Sequence, residues 1–183
     1  LIFTLIVLLI LTIGAVALVR SMNTSLYSAG NLAFRRDLVN QGEQAVSLVL
    51  NEFKTGALST SASTQANVLI SNYSATELPT NTQGVPSVLF ASNASFATVG
   101  TAPDLTGATP DVTIRYVVDR LCNAAGAPSG TTCVQTSAVP KGGTGKSTPT
   151  IALPAATIYR LSARVSGPRN TQVFVQTTFT RPD

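Results

Sequence analysis

LIFTLIVLLILTIGAVALVR, residues 1–20, decides how the rest of the chain is read. No charge occurs before Arg20, and Thr4 and Thr12 are the only polar side chains ahead of it. About 20 helical residues cross a hydrocarbon core of about 30 Å, so this run is predicted to span a membrane. Leu5, Leu9, Val16 and Val19 are among the side chains that would line it. A cleaved signal peptide presents a basic segment, a shorter apolar core and a small-residue cleavage site. Here the apolar run leads into helix-compatible sequence, and cleavage near Ser21 is not expected.

Beyond Arg20 the polarity rises while the helical period continues. Leu26, Ala29, Ala33, Phe34, Leu38, Ala45, Val46, Val49, Leu50 and Phe53 recur at spacings of three and four, as one face of an amphipathic helix does. No proline occurs before Pro79. Residues 1 to about 54 therefore read as one nearly continuous helix, about 80 Å long, ending near Gly56. Gly14, Gly30 and Gly42 each weaken it by roughly 1 kcal/mol and are positions for bending or close packing. The organisation expected is a transmembrane segment at 1–25, an amphipathic half of the same helix at 26–54, and a head outside the cytoplasm at 55–183.

After Gly56 the composition turns to Ser, Thr, Ala and Asn, which predicts loops with short elements around residues 66–71 and 85–91. Strand signals then sharpen. Val112, Ile114, Tyr116 and Val118 alternate with Thr113, Arg115 and Val117, giving one apolar face and one mostly polar face. Tyr159, Leu161, Ala163 and Val165 alternate with polar residues, Gly167-Pro168-Arg169-Asn170 follows, and Val173, Val175, Thr177 and Phe179 alternate again. Two period-two runs around a turn cluster predict a hairpin. The fold class expected is α+β, a long N-terminal hydrophobic helix packed on a C-terminal antiparallel β-sheet.

Composition narrows the function. Charged residues make up 11 % of the chain, with 12 Lys and Arg against 8 Asp and Glu, a net charge of +4 and no His. Without His the commonest general base and metal ligand are missing, and the acids are scattered singly, so no enzyme, metal site or cofactor is expected. The longest basic run, Arg35-Arg36, is not a nucleic-acid footprint. Together with Asp37 it suits either filament contacts or a solvated helix face. Cys122 and Cys133, with ten residues between them, read as a disulfide outside the cytoplasm ahead of free thiols, closing an excursion from the preceding strand. KGGTGKST, residues 141–148, matches a phosphate-binding loop with Lys141 and Lys146 in place. No buried strand leads into it, and Pro149 and Pro154 oppose a helix behind it, so nucleotide binding is not expected. Triplets at Asn23, Asn72 and Asn93 match the glycosylation pattern by chance in so Ser- and Thr-rich a chain.

With these residues in view, the chain resembles a type IV pilin or pseudopilin, and most of all the PilX-type minor pilins. The likeness lies in the apolar run, Ala29-Gly30-Asn31, Arg35-Arg36 and Glu43 at one end. At the other end it lies in 159–165, Gly167-Pro168-Arg169-Asn170-Thr171 and Val175-Gln176. The resemblance implies a pilin-like fold and a structural subunit that helps initiate or cap a pilus and supports adhesion or cell aggregation. Leu5, Leu9, Val16 and Val19 then lie in the filament core. Most pilins carry a Glu early in the helix that pairs with a neighbour's amine, whereas nothing before Asp37 is acidic here, which implies a place at the tip. The implied partners are other major and minor pilins, the inner-membrane assembly machinery and, before assembly, membrane lipid. The implied location is the inner membrane, single-pass with the head outside the cytoplasm, and then the extracellular pilus. A GspK-like tip subunit of a type II secretion pseudopilus is the alternative within the superfamily. A single-span anchored binding domain that never polymerises is the alternative outside it.

Overall fold

The computed structural model describes residues 1–136 and 155–182. The chain divides into two compact units, Leu1–Leu38 and Val39–Asp183. One helix, α1 (Ile2–Lys54), contributes to both and ends where expected. The α-helical bonding continues just past Lys54, with the Gly56 amide donating to the Glu52 carbonyl at 3.1 Å. The Glu52 carboxylate then accepts from the Ala57 amide at 3.1 Å and the Ser71 hydroxyl at 3.2 Å, satisfying groups the exit would leave open.

In the second unit a six-stranded sheet is built from β1 (Tyr73–Ser74), β2 (Leu105–Thr106), β3 (Thr113–Arg120), β4 (Gln135–Thr136), β5 (Ala156–Gly167) and β6 (Thr171–Pro182). β5 pairs with β3 and β4 along one side and with β6 along the other. The predicted hairpin is present: β5 and β6 pair antiparallel from Gly167↔Thr171 to Ala156↔Pro182. Its turn places Arg169 and Asn170 at φ of 56° and 58°. The sheet is mixed and not purely antiparallel, because β1 lies parallel to β3. The connection between them is long enough for a crossover, which a parallel pair requires. In the middle stretch the expected short elements are 3₁₀ turns at Leu69–Ser71 and Ser87–Phe90, joined by a further turn at Ala62–Gln65 and a one-turn helix, α2 (Asn93–Phe96). Ser92 caps α2 by accepting from the Ser95 amide at 3.3 Å.

The part of α1 within this unit lies against one face of the sheet. Ala45 and Val49 are buried. At Gly42 an added Cβ would stand 2.9 Å from a Val175 methyl and 3.1 Å from a Val165 methyl, so glycine here permits close approach of helix to sheet. Below it Phe53 meets Tyr159 and Phe179 edge-on, each at 4.9 Å between ring centroids. The expected apolar stripe is only partly used, since Leu26 and Leu50 are exposed. Gln41, outside that stripe, is buried and donates to the Thr109 hydroxyl at 2.7 Å.

The second face of β3 is also buried, correcting the expectation of a mostly polar outer face. Val117 packs with Leu89 and Phe96 in a cluster that also draws in Leu78, Val85, Val88 and Val99. The loop-rich middle of the chain therefore supplies a second layer over the sheet.

Candidate functional site

The surface that sets this chain apart is the start of α1. Its most apolar eighteen-residue window has a mean hydropathy of 3.0 and is wholly unburied, so the helix is long and apolar enough to cross a membrane. Leu5, Leu9, Val16 and Val19 are all more than half exposed. Thr4 and Thr12 return their hydroxyls to the carbonyls of Leu1 and Leu9, at 2.7 and 2.8 Å, which removes the two free polar groups from this surface. Water does not tolerate so large a continuous apolar surface, so lipid or protein must cover it. Gly14 and Gly30 have open space around them, unlike Gly42. Arg35, Arg36 and Asp37 are exposed on the same helix.

Polar groups in the head are organised by the sheet register. Asp119 and Arg160 are cross-strand partners on β3 and β5. Arg160 donates to the fully buried Asp119 carboxylate from Nε at 3.0 Å and again from Nη2, and the Leu78 amide donates to the same carboxylate at 2.9 Å. Arg115 makes a fork to Asp104, with Nε and Nη2 each at 2.9 Å from an oxygen, and stands 4.8 Å over the Phe96 ring. In both pairs acid and base are in direct hydrogen-bonded contact.

Arg120 and Arg164, on the same two strands, have no such carboxylate among the described residues. Arg120 is fully buried and donates only to carbonyls, to Ala75 at 3.0 Å and to Gly126 at 2.9 Å, while its Nη1 is unpartnered. Arg164 is the cross-strand partner of Arg115, and its buried Nε has no acceptor. Burial and, after it, the Arg115 charge hold the Arg164 guanidinium below its ordinary pKa. Burial pushes the Tyr73 phenol well above its ordinary range, with Tyr159 adding to the shift. The Tyr116 phenol is raised by burial and by Glu52.

Cys122 and Cys133 are joined in a disulfide. The bond closes a ribbon in which the Asn123 amide donates to the Thr132 carbonyl and the Val134 amide to the Leu121 carbonyl, both at 2.8 Å. It thus closes the excursion after β3, as expected, and the enclosed carbonyls of Ala124 and Gly126 turn in to receive Arg120. Lys141, Lys146 and the rest of KGGTGKST lie outside the described residues. Among the described residues no group of three or more His, Cys, Asp or Glu side chains is placed to hold a metal ion.

Sequence reasoning missed the two ion pairs and the role of Asn72. That residue has φ of 49°, donates to the Tyr116 carbonyl at 3.1 Å and accepts from the Ala102 amide at 3.0 Å. It is a buried joint between loop and sheet, and Asn93 likewise serves the structure by accepting from Arg115. Comparison with family models, curated proteins and solved structures returned no match to this chain.

Proposed function

We propose that the chain is a structural minor subunit of a type IV pilus, of the PilX type, with a pilin-like fold. It initiates or caps the fibre, at or near the tip, and supports adhesion or cell aggregation. The observation that carries the reading is the bare, uncharged start of α1, continuous with a helical segment laid on a mixed sheet. A helix of this kind has two successive uses: it rests in the inner membrane, and it then exchanges lipid for the apolar helices of neighbouring pilins. Its partners are those pilins, the inner-membrane assembly machinery and, before assembly, lipid. No catalytic step, nucleotide or nucleic acid is assigned to it.

Leu9→Lys and Val16→Lys test the reading, with Leu9→Met as the control. A charge at the centre of an apolar span costs about 3 kcal/mol. Both lysine variants are expected to be lost from sheared fibres while the methionine variant is retained. Normal incorporation of either lysine variant contradicts the proposal. A tip subunit of a secretion pseudopilus shares this dependence and separates from a pilus subunit by the fibre in which the chain is recovered.

A further inference from the structure

The hairpin of β5 and β6 has two features that the assembly reading does not use. The first is its outer edge. Among the described residues β6 pairs only with β5, so its second edge carries no strand partner over Thr171–Pro182. The sequence there, TQVFVQTTFTRP, holds no charge before Arg181 and no proline before the last residue. Exposed edges are ordinarily blunted by charge, proline, bulges or shortness, and this one has none of these protections over most of its length.

The second feature is charge. Residues 155–182 contain Arg160, Arg164, Arg169 and Arg181 and no acid. Arg160 is neutralised by Asp119, and Arg181 donates to the carbonyls of Leu58 and Ser59. Arg164 and Arg169 have no carboxylate among the described residues, and the one acid beside Arg164, Asp104, is held in the fork to Arg115. Arg164 is aligned with Phe174 of β6. One strand further out, a residue would stand about 9.5 Å from it, two inter-strand spacings, a gap that arginine and glutamate side chains close between them.

The geometry points to strand addition at β6 by an extended, acidic segment of another polypeptide, whose backbone pairs with the open edge and whose carboxylates meet Arg164 and Arg169. A second copy of this chain is the poorer occupant, because its own β6 carries no acid to offer. The inference does not depend on whether the chain enters a filament.

The test uses the full chain in detergent micelles and a fluorescent peptide of alternating valine and threonine carrying two glutamates on one face. Saturable binding is expected. It should weaken about tenfold when glutamine replaces glutamate, the equivalent of one charge-assisted hydrogen bond. It should vanish when the pairing amides are N-methylated. Arg164→Gln, and Arg169→Gln at the exposed turn where folding is not at risk, should each reduce the preference for glutamate and leave binding of the glutamine peptide unchanged. Hydrogen exchange should show new protection of β6 amides. Absence of binding overturns the inference, as does binding indifferent to N-methylation. Equal binding of a heparin fragment would show a general polyanion surface, and dimerisation through β6 would show self-pairing. Either result would also overturn it.

Discussion

Arg120 stands on three backbone carbonyls and no carboxylate, which makes its support depend on the loop that carries two of them. A guanidinium spreads its donors over a plane, and a lysine ammonium cannot reach Ala75, Ala124 and Gly126 together. Arg120→Lys is therefore expected to cost about 2 kcal/mol in denaturant unfolding. Replacing both cysteines by serine, which frees the same loop, should cost about 3 kcal/mol by the chain-entropy estimate. Because the two changes disable one arrangement, the combined variant should lose clearly less than the sum. Full additivity would show that the loop and the arginine act independently. Tyr73 supplies a pH test. Its phenol is held neutral by burial, so the folded chain keeps a proton that the unfolded chain releases near pH 10.0. Stability from this source is intact below that pH and falls above it. Tyrosinate absorbance from Tyr73 and Tyr116 should appear together with alkaline unfolding, and gradual titration of all tyrosines in folded protein would contradict the assignment.

Among the elements, the contact between α1 and the hairpin turns on Gly42. Gly42→Leu forces a side chain against Val165 and Val175 and is expected to destabilise the head by about 2 kcal/mol. Gly30→Leu, at a position with open space, should leave head unfolding within about 0.5 kcal/mol of the parent. Equal effects at the two glycines would refute the close approach. The hairpin and the end of α1 were legible in the sequence because their signals are local: period-two alternation around Gly167-Pro168 and an unbroken helical period as far as Lys54. The disulfide was legible because ten intervening residues close easily. The pairing of β1 with β3 was not, since a two-residue strand has no periodicity to read. Asp119 and Arg160 were invisible as a pair for a related reason: they are joined by strand register, and each looks solitary along the chain. The second buried face of β3 was hidden because its cover comes from a segment whose Ser- and Thr-rich composition reads as loop.

At the scale of the molecule, the chain combines a head with its own cores and disulfide with a helical segment whose apolar surface is unburied among the described residues. The candidate assembly surface was the most legible part of the whole, because an uncharged run of this length is informative before any fold is known. Which apolar surroundings it finally occupies is a matter of partners, which no periodicity encodes. Membrane lipid alone would make the chain an anchored domain, whereas exchange of lipid for neighbouring helices makes it a fibre subunit. The most direct measurement is therefore fractionation of the unmodified chain from cells that assemble pili, shearing the fibres away and separating them from membranes before immunoblotting. The expected result is a minor but reproducible share of the chain in the membrane-free fibre fraction, disappearing when the major pilin is deleted. Recovery of the whole of it with the membranes, whether or not fibres are present, would contradict the account.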